Sequence, residues 1–196
     1  MQEETIRIHR LIEDTYAEGP GRRIAIWFQG CSIHCDGCFE KNAWNPNGGE
    51  DISIQELKQL VSKDGLDGVT ILGGEPFDQA KSLLAFLQCV KEVGKNVIVF
   101  SGYLFETLSN SDSEYVRLSL KLIDLLIDGE YKKNSPDYNR PLIGSLNQRV
   151  IPLSDVGNVL AKSLEQYRDK IEVRINKNGS VIVNGMWKGK EFYEIG

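Results

Sequence analysis

The chain has 196 residues, of which 41% are hydrophobic and 26% charged, and this balance excludes a disordered chain, a collagen or a coiled coil. The formal net charge of −5 argues against a nucleic-acid partner, because nucleic-acid binding needs a basic footprint. The apolar stretches are far shorter than the ~20 residues of a membrane span, so no membrane partner is expected either.

Short apolar runs alternate with amphipathic segments along most of the chain. The runs predict strands at 24–28, 69–72, 96–100 and 123–127. The amphipathic segments predict helices at 53–62, with Ser53 as N-cap, at 78–93, and over 103–120 with a break near 109–112. Strands that alternate with helices indicate βαβ units and a mainly parallel sheet, so the fold class is α/β.

The tail of the chain has a different pattern. Residues 154–167 predict a helix, and 172–175 with 180–183 predict a hairpin whose loop contains Gly179. A closed eightfold barrel takes ~250 residues, so this chain is expected to form only a partial, open βα barrel. We therefore predict a core over 1–150 and a helix-plus-hairpin extension over 151–196, which covers a small pocket or binds a partner.

Three cysteines are clustered directly after the first predicted strand. Cys31, Cys35 and Cys38 have the spacing CxxxCxxC, and Gly30 and Gly37 give the loop the backbone freedom to wrap around a ligand. Three thiols on one short loop indicate a metal centre in a reducing compartment. The chain has only one further cysteine, which is too few for a disulfide scaffold.

Two metal centres compete with a third interpretation, purely structural thiols. A zinc site usually needs four ligands, and His34 is the available fourth, but it is adjacent to Cys35 and no second CxxC pair exists. Four thiolates hold an ordinary [4Fe–4S] cluster, so three leave one iron open, as a catalytic centre requires. The iron–sulfur interpretation is favoured. We expect His34 to pack the loop and Cys89 to lie in the core.

A second unusual segment follows the second predicted strand. Gly73 and Gly74 let the backbone approach a ligand closely, and the Glu75 carboxylate can accept hydrogen bonds from an amine, with Pro76 next in the chain. A glycine-rich turn of this kind can also be purely structural. Its place after a strand and downstream of the cysteine loop makes the functional interpretation the stronger one.

Together, the CxxxCxxC loop and the GGE segment resemble the signature of the radical S-adenosylmethionine (SAM) enzymes. The resemblance implies that Cys31, Cys35 and Cys38 bind three irons of a [4Fe–4S] cluster. It implies that the amino and carboxylate groups of SAM bind the fourth iron, and that Gly73, Gly74 and Glu75 line the methionine end of SAM. Most members have an aromatic residue where this chain has Gly37.

A glycine at that position is typical of the activating enzymes of anaerobic ribonucleotide reductase, and further segments over 19–149 resemble that branch. They are GPGR at 19–22, FQGC at 28–31, SGY at 101–103, IDGEY at 127–131 and GSLNQR at 144–149. This resemblance implies an enzyme that cleaves SAM reductively and generates a glycyl radical on a partner enzyme. It also implies a flavodoxin or ferredoxin as electron donor and a cytoplasmic, low-oxygen setting.

The cysteine loop and the GGEP, SGY and IDGEY segments each follow a predicted strand. Parallel strands end at one edge of a sheet, where active sites form in barrels and open sheets alike. Ser101 and Asp128 are therefore candidate cofactor contacts, although Ser101 could equally cap a turn and Asp128 could end its strand structurally. Arg22 and Arg23 precede the first buried strand and are expected at a solvated edge.

Several assignments stay open at this stage. Asn147, Gln148 and Arg149 are candidates to bind substrate or SAM, or to pack a loop through hydrogen bonds. No side chain is assigned a catalytic role. Two other functions compete with the activase: a radical SAM enzyme acting on a small molecule or peptide, and a non-enzymatic iron–sulfur or zinc protein for electron transfer or sensing.

Overall fold

The computed structural model describes residues 4–186, which contain nine strands and five helices. The strands are β1 (Thr5–Thr15), β2 (Arg23–Phe28), β3 (Glu50–Ser53), β4 (Gly68–Gly73), β5 (Asn96–Ser101), β6 (Leu125–Asp128), β7 (Arg149–Pro152), β8 (Ile171–Ile175) and β9 (Val181–Gly185). The helices are α1 (Ile54–Val61), α2 (Ala80–Glu92), α3 (Phe105–Ser109), α4 (Glu114–Leu120) and α5 (Asp155–Gln166).

Seven strands form one open sheet in the order β3-β1-β2-β4-β5-β6-β7. The four central strands, β2, β4, β5 and β6, pair parallel with one another. β1, β3 and β7 pair antiparallel at the two sides. Because β3 and β7 are the two edges of the sheet, the barrel is not closed, and the predicted α/β fold with a partial, open barrel is confirmed.

The parallel centre was predicted from the sequence, whereas the three flanking strands were not. The predicted runs 24–28, 69–72 and 96–100 lie within β2, β4 and β5, and the run 123–127 overlaps β6. The expectation of a mainly parallel sheet is wrong for the flanks, since three of the six strand pairings are antiparallel. The antiparallel flanks matter for the site because β1 and β7 border the loops of the parallel strands.

Two of the five helices, α1 and α5, begin at a serine whose side chain caps the first turn. Ser53 accepts a hydrogen bond from the Glu56 amide at 3.1 Å at the start of α1, as predicted. α2 begins two residues later than predicted because Pro76–Gln79 forms a 3-10 turn first. The predicted break in the third helical region separates α3 from α4.

The core lies on both faces of the sheet. The largest apolar cluster packs α1, α2 and α4 against one face, where it contains Ile26, Ile71 and Val99. On the other face α5 packs over β5 and β6 through Leu160 and Leu164. Cys89 of α2 was expected in the core, and it is half-buried and packs against the first cluster. None of the helices within residues 4–186 is long and apolar enough to cross a membrane.

Arg23 is a correction to the sequence analysis. It was expected at a solvated edge, but its side chain is fully buried. The guanidinium donates hydrogen bonds to Thr70 Oγ1 at 2.6 Å, Asn96 Oδ1 at 2.7 Å and the Val69 carbonyl at 2.7 Å. Burial lowers the pKa of Arg23 to about 9. The buried side chain thereby ties β2 to β4 and β5.

The tail forms the predicted helix and hairpin. The predicted domain boundary after residue 150 falls inside β7, and the division into core and extension stays a prediction. β8 and β9 pair antiparallel, and their alternate side chains form an exposed apolar face made by Ile171, Val173, Ile175, Val181 and Val183. Polar contacts hold the hairpin to the body, including Glu172 with Thr15 and Asn184 with Glu18.

Candidate functional site

Four loops meet at one edge of the sheet, as the sequence analysis predicted. They follow the carboxyl ends of β2, β4, β5 and β6. The strands are in register there, since Phe28 pairs with Gly73 and Ser101 pairs with Asp128. The parallel arrangement therefore places the cysteine loop beside the GGEP, SGY and IDGEY segments.

The loops border a small cavity of about 130 Å³ that is open to solvent. Its wall contains all three loop cysteines. It also contains four of the residues that were predicted to bind the cofactor, namely Gly73, Gly74 and Glu75 of the GGEP segment and Ser101. The lining is Cys31, Ile33, Cys35, Cys38, Trp44, Gly73, Gly74, Glu75, Phe100, Ser101, Gly102, Gly129, Tyr131 and Gln148. Pro76 and Asp128, which were also predicted to bind the cofactor, are not part of this lining.

Backbone hydrogen bonds and one stacked pair shape the cysteine loop. Gly30 has φ +91° and Gly37 has φ +79°, the left-handed conformations that the sequence analysis expected glycine to provide. The Cys31 amide donates to the Trp44 carbonyl at 3.2 Å. The His34 ring stacks on Trp44 with centroids 4.5 Å apart, so His34 packs the loop as expected.

The lining fits an iron–sulfur cluster held by three thiolates. Within residues 4–186, no three His, Cys, Asp or Glu side chains meet at a point suited to a single metal ion. The three thiols instead border a common cavity, as a polynuclear group bound through one thiolate per iron requires. The indole N–H of Trp44, a residue of the lining, is buried and has no hydrogen-bond partner among the described residues, and an acceptor on a bound group would satisfy it.

Burial also affects the thiols themselves. It raises the pKa of both Cys31 and Cys35, because an apolar surrounding disfavours the thiolate. Metal binding requires the thiolate form, so loading the site displaces protons from these two cysteines.

Glu75 has a role that the sequence analysis did not foresee. Its carboxylate is almost fully buried and accepts hydrogen bonds from the Phe77 amide at 3.0 Å, the Ser101 hydroxyl at 3.0 Å and the Gly102 amide at 2.9 Å. Its own amide donates to the Gly30 carbonyl at 2.8 Å. Glu75 therefore connects the loops after β2, β4 and β5, and Ser101 holds the carboxylate from the β5 side.

Because the carboxyl group of Glu75 is buried, we expect the stability of the apoprotein to depend on pH. Burial raises its pKa to about 7, from an ordinary value near 4.5. The neutral form is favoured on folding, so its contribution to stability is complete below about pH 4.5 and is lost as the pH rises through 7. Glu75→Gln should therefore flatten the fall in the urea unfolding midpoint between pH 5 and pH 8. Glu114→Gln, at an exposed glutamate of α4, should leave that fall unchanged.

Asp78 fixes the segment between the first two loop cysteines. Its carboxylate accepts hydrogen bonds from the Ser32 amide at 2.7 Å and the Ser32 hydroxyl at 2.9 Å. The Tyr103 hydroxyl lies 2.8 Å from the Ser32 hydroxyl and donates to Asp78 at 3.3 Å. This network joins the cysteine loop to the 3-10 turn and to the SGY segment, and sequence reasoning missed it.

We expect Asp78→Asn to loosen the cysteine loop without unfolding the protein. The Asp78 carboxylate accepts the two Ser32 hydrogen bonds on separate oxygens, whereas the side-chain amide of asparagine accepts through one oxygen only. Iron should then be lost to a chelator roughly 10-fold faster, in line with the effect of outer-shell partners on metal affinity. Asp64→Asn, at an exposed loop aspartate, is the control, and equal rates for the two variants would contradict this role.

Asp128 and Arg149 form a structural pair at the end of β6. The buried Asp128 carboxylate accepts from Arg149 Nε at 2.9 Å and from the Phe105 amide at 2.7 Å. Arg149 also binds Glu106, at 2.7 Å, and lowers the pKa of Glu106 to about 2. Cofactor binding by Asp128 stays a prediction. The contacts that the structure shows for Asp128 tie α3 and β7 to the end of β6.

The sequence analysis left the roles of Asn147, Gln148 and Arg149 open. Gln148 lines the cavity, and the other two do not. Its side chain donates to the Gly129 carbonyl at 3.0 Å and accepts from the Gly144 amide at 2.9 Å. Asn147 donates to the Glu130 carbonyl at 2.8 Å. The GSLNQR segment thus packs onto the IDGEY loop and supports that side of the cavity.

Known proteins resemble this chain over most of its length. Residues 17–151 match the family described as a 4Fe-4S single cluster domain. The anaerobic ribonucleoside-triphosphate reductase-activating protein of Enterobacteria phage T4 is 29% identical over 149 residues, which cover 72% of this chain and 90% of that protein. The pyruvate formate-lyase-activating enzyme of Clostridium pasteurianum is 33% identical over 147 residues, which cover 67% of this chain and 61% of that enzyme.

Among solved structures, QueE from Escherichia coli matches with a TM-score of 0.40 and 20% identity over 50% of this chain and 53% of that one. The family match covers more than half of the chain. The chain therefore belongs to the 4Fe-4S single cluster domain family. It is an iron–sulfur enzyme of the radical SAM type, as the resemblance implied, with a [4Fe–4S] cluster and SAM as its cofactors.

Proposed function

We propose that this enzyme generates a glycyl radical on a partner enzyme, and that the partner is an anaerobic ribonucleotide reductase. The observation that carries the proposal is the cavity at the carboxyl ends of the parallel strands, where three thiols and four glycines are part of one lining. The relatives named as activating proteins support it. The match with the phage protein extends over 90% of that protein's length.

Cys31, Cys35 and Cys38 would each bind one iron through a thiolate. The backbone of Gly73 and Gly74, together with Glu75, would line the methionine end of SAM, and Ser101 would orient the Glu75 carboxylate. When bound and reduced, the cluster supplies the electron that cleaves SAM to methionine and a 5′-deoxyadenosyl radical, which abstracts a hydrogen atom from the glycine Cα. The chain itself positions these groups and limits the access of water.

The open sheet suits a protein substrate. A glycine in a loop of the partner has to reach the cavity from outside, and the sheet around the cavity is not closed into a barrel. The cavity is lined by residues that precede the hairpin in the chain. The extension would contact the partner through the exposed apolar face of β8 and β9.

The reductant is proposed to be a low-potential one-electron donor such as a flavodoxin or a ferredoxin. Each SAM cleavage consumes one electron from the cluster, which has to be supplied again for each turnover. Reconstituted enzyme reduced by a flavodoxin or ferredoxin system should form methionine from SAM, and omission of the donor protein should prevent this.

The test of the partner is formation of a glycyl radical. The reconstituted, reduced enzyme is mixed with SAM and, in separate samples, with an anaerobic ribonucleotide reductase or a pyruvate formate-lyase from the same host. A glycyl-radical doublet in the EPR spectrum of the reductase sample supports the proposal, and the reductase with its radical glycine replaced by alanine is the control. A doublet with pyruvate formate-lyase alone, or with neither protein while SAM is still cleaved, would contradict it.

A further inference from the structure

Trp44 carries a polar group that the fold leaves unsatisfied. Its indole nitrogen, Nε1, is shielded from solvent and has no hydrogen-bond partner among residues 4–186. The same residue lines the cavity with the three loop cysteines. A buried N–H group normally finds an acceptor, since desolvating it without one costs free energy.

The ring of Trp44 is positioned by contacts that do not use this N–H group. One face stacks on His34, with ring centroids 4.5 Å apart and planes 25° from parallel. The Lys41 ammonium lies 5.8 Å from the ring centroid. The Trp44 carbonyl accepts from the Cys31 amide at 3.2 Å, which ties the residue to the first cysteine of the loop. The N–H group is therefore available to a partner other than residues 4–186.

An iron–sulfur cluster brings acceptors of the required kind to this cavity. Its sulfide and thiolate sulfurs carry negative charge and accept hydrogen bonds, and such bonds are among the features that set the cluster's reduction potential. A donor stabilises the reduced form more strongly, because that form carries one more negative charge. An N–H group directed at the cluster thus makes reduction easier.

We propose that the indole N–H of Trp44 donates a hydrogen bond to a sulfur of the bound cluster and raises its reduction potential. This role depends on the iron–sulfur cofactor and not on which partner enzyme is activated. It would thus remain testable if the proposed partner were wrong. It also gives Trp44 a role beyond packing, because packing would require only the stacking on His34.

The direct test uses protein labelled with ¹⁵N at the indole nitrogen of all its tryptophans. In the reduced, reconstituted protein without SAM, electron–nuclear double resonance should detect a ¹⁵N coupling to the cluster. The coupling should vanish in Trp44→Phe and persist in Trp27→Phe and Trp187→Phe. Trp27 is the matched buried control, because it lies in β2 over Arg10 and does not line the cavity. Absence of the coupling in the wild-type protein would overturn the proposal without any variant.

The functional readout is the reduction midpoint, measured by an EPR-monitored titration without SAM. Trp44→Phe retains an aromatic ring to stack on His34 but has no N–H donor, so its midpoint should be more negative than that of the wild type. Trp27→Phe should have the wild-type midpoint. An unchanged midpoint in Trp44→Phe would overturn the proposal, including the case in which only its affinity for SAM falls, since the acceptor would then belong to SAM.

Discussion

Replacing Cys35 with alanine is expected to reduce the iron and sulfide retained after anaerobic reconstitution by more than about tenfold. Even outer-shell partners of metal sites typically change metal affinity 10–100-fold, and Cys35 is placed to be a direct ligand. The thiol lines the cavity with Cys31 and Cys38, so its loss leaves two thiolates for a group that needs three. Iron and sulfide analysis, together with the visible absorption of the cluster, measures the effect.

Cys89→Ala is the matched control for this prediction. Cys89 is in α2, packs against the main apolar cluster and is not part of the cavity lining. The variant should lose some stability through the vacated space while binding as much iron as the wild type. Equal iron retention in Cys35→Ala and the wild type, or loss of the cluster in Cys89→Ala, would contradict the assignment of the ligands.

Gly74→Ala is expected to remove cluster binding and to destabilise the fold. A Cβ atom at this position would lie 1.9 Å from the carbonyl oxygen of Gly30 and 3.1 Å from that of Ala43. Both neighbours are backbone atoms of the cysteine loop, so the loop has to move away from the GGEP segment. Overpacking of this kind costs about 1–3 kcal/mol of unfolding free energy. Urea unfolding of the apoprotein and iron retention after reconstitution measure the two effects.

Gly94→Ala separates the steric effect from the general cost of replacing a glycine. Gly94 has φ +70°, and no atom lies within 4 Å of a Cβ built there. The left-handed conformation costs an L-residue about 1–2 kcal/mol, so this variant should be destabilised but should bind the cluster normally. A Gly74→Ala protein that keeps its cluster would show that the two loops need not be in contact.

The sequence predicts the centre of the sheet well because each parallel strand is a short apolar run between polar loops. The flanking strands lack that signal for identifiable reasons. β1 alternates apolar residues only in part, and its pairing with β2 is shifted near Ile8 and again near Ile12. β3 and β7 have four residues each, EDIS and RVIP, and neither is a continuous apolar run like that of β6. Their strand conformation is set by pairing with neighbours that are distant in the chain.

The site shows the same division between local and distant signals. The spacing of the cysteines and the order of the strand-end loops are local, and the structure brings these residues to one cavity. The network around Asp78 joins Ser32 to Tyr103, which are 71 positions apart, so no local pattern predicts it. Arg23 was misplaced for a related reason, because the groups that compensate its buried charge lie on two other strands.

Formation of 5′-deoxyadenosine tests the central claim most directly. The protein is reconstituted anaerobically with iron and sulfide, reduced and incubated with SAM, with the proposed partner present in a parallel sample. We expect 5′-deoxyadenosine and methionine from the wild type, and none above background from Cys35→Ala. A wild-type protein with an intact, reduced cluster that forms no 5′-deoxyadenosine, with or without the partner, would contradict the assignment as a radical SAM enzyme.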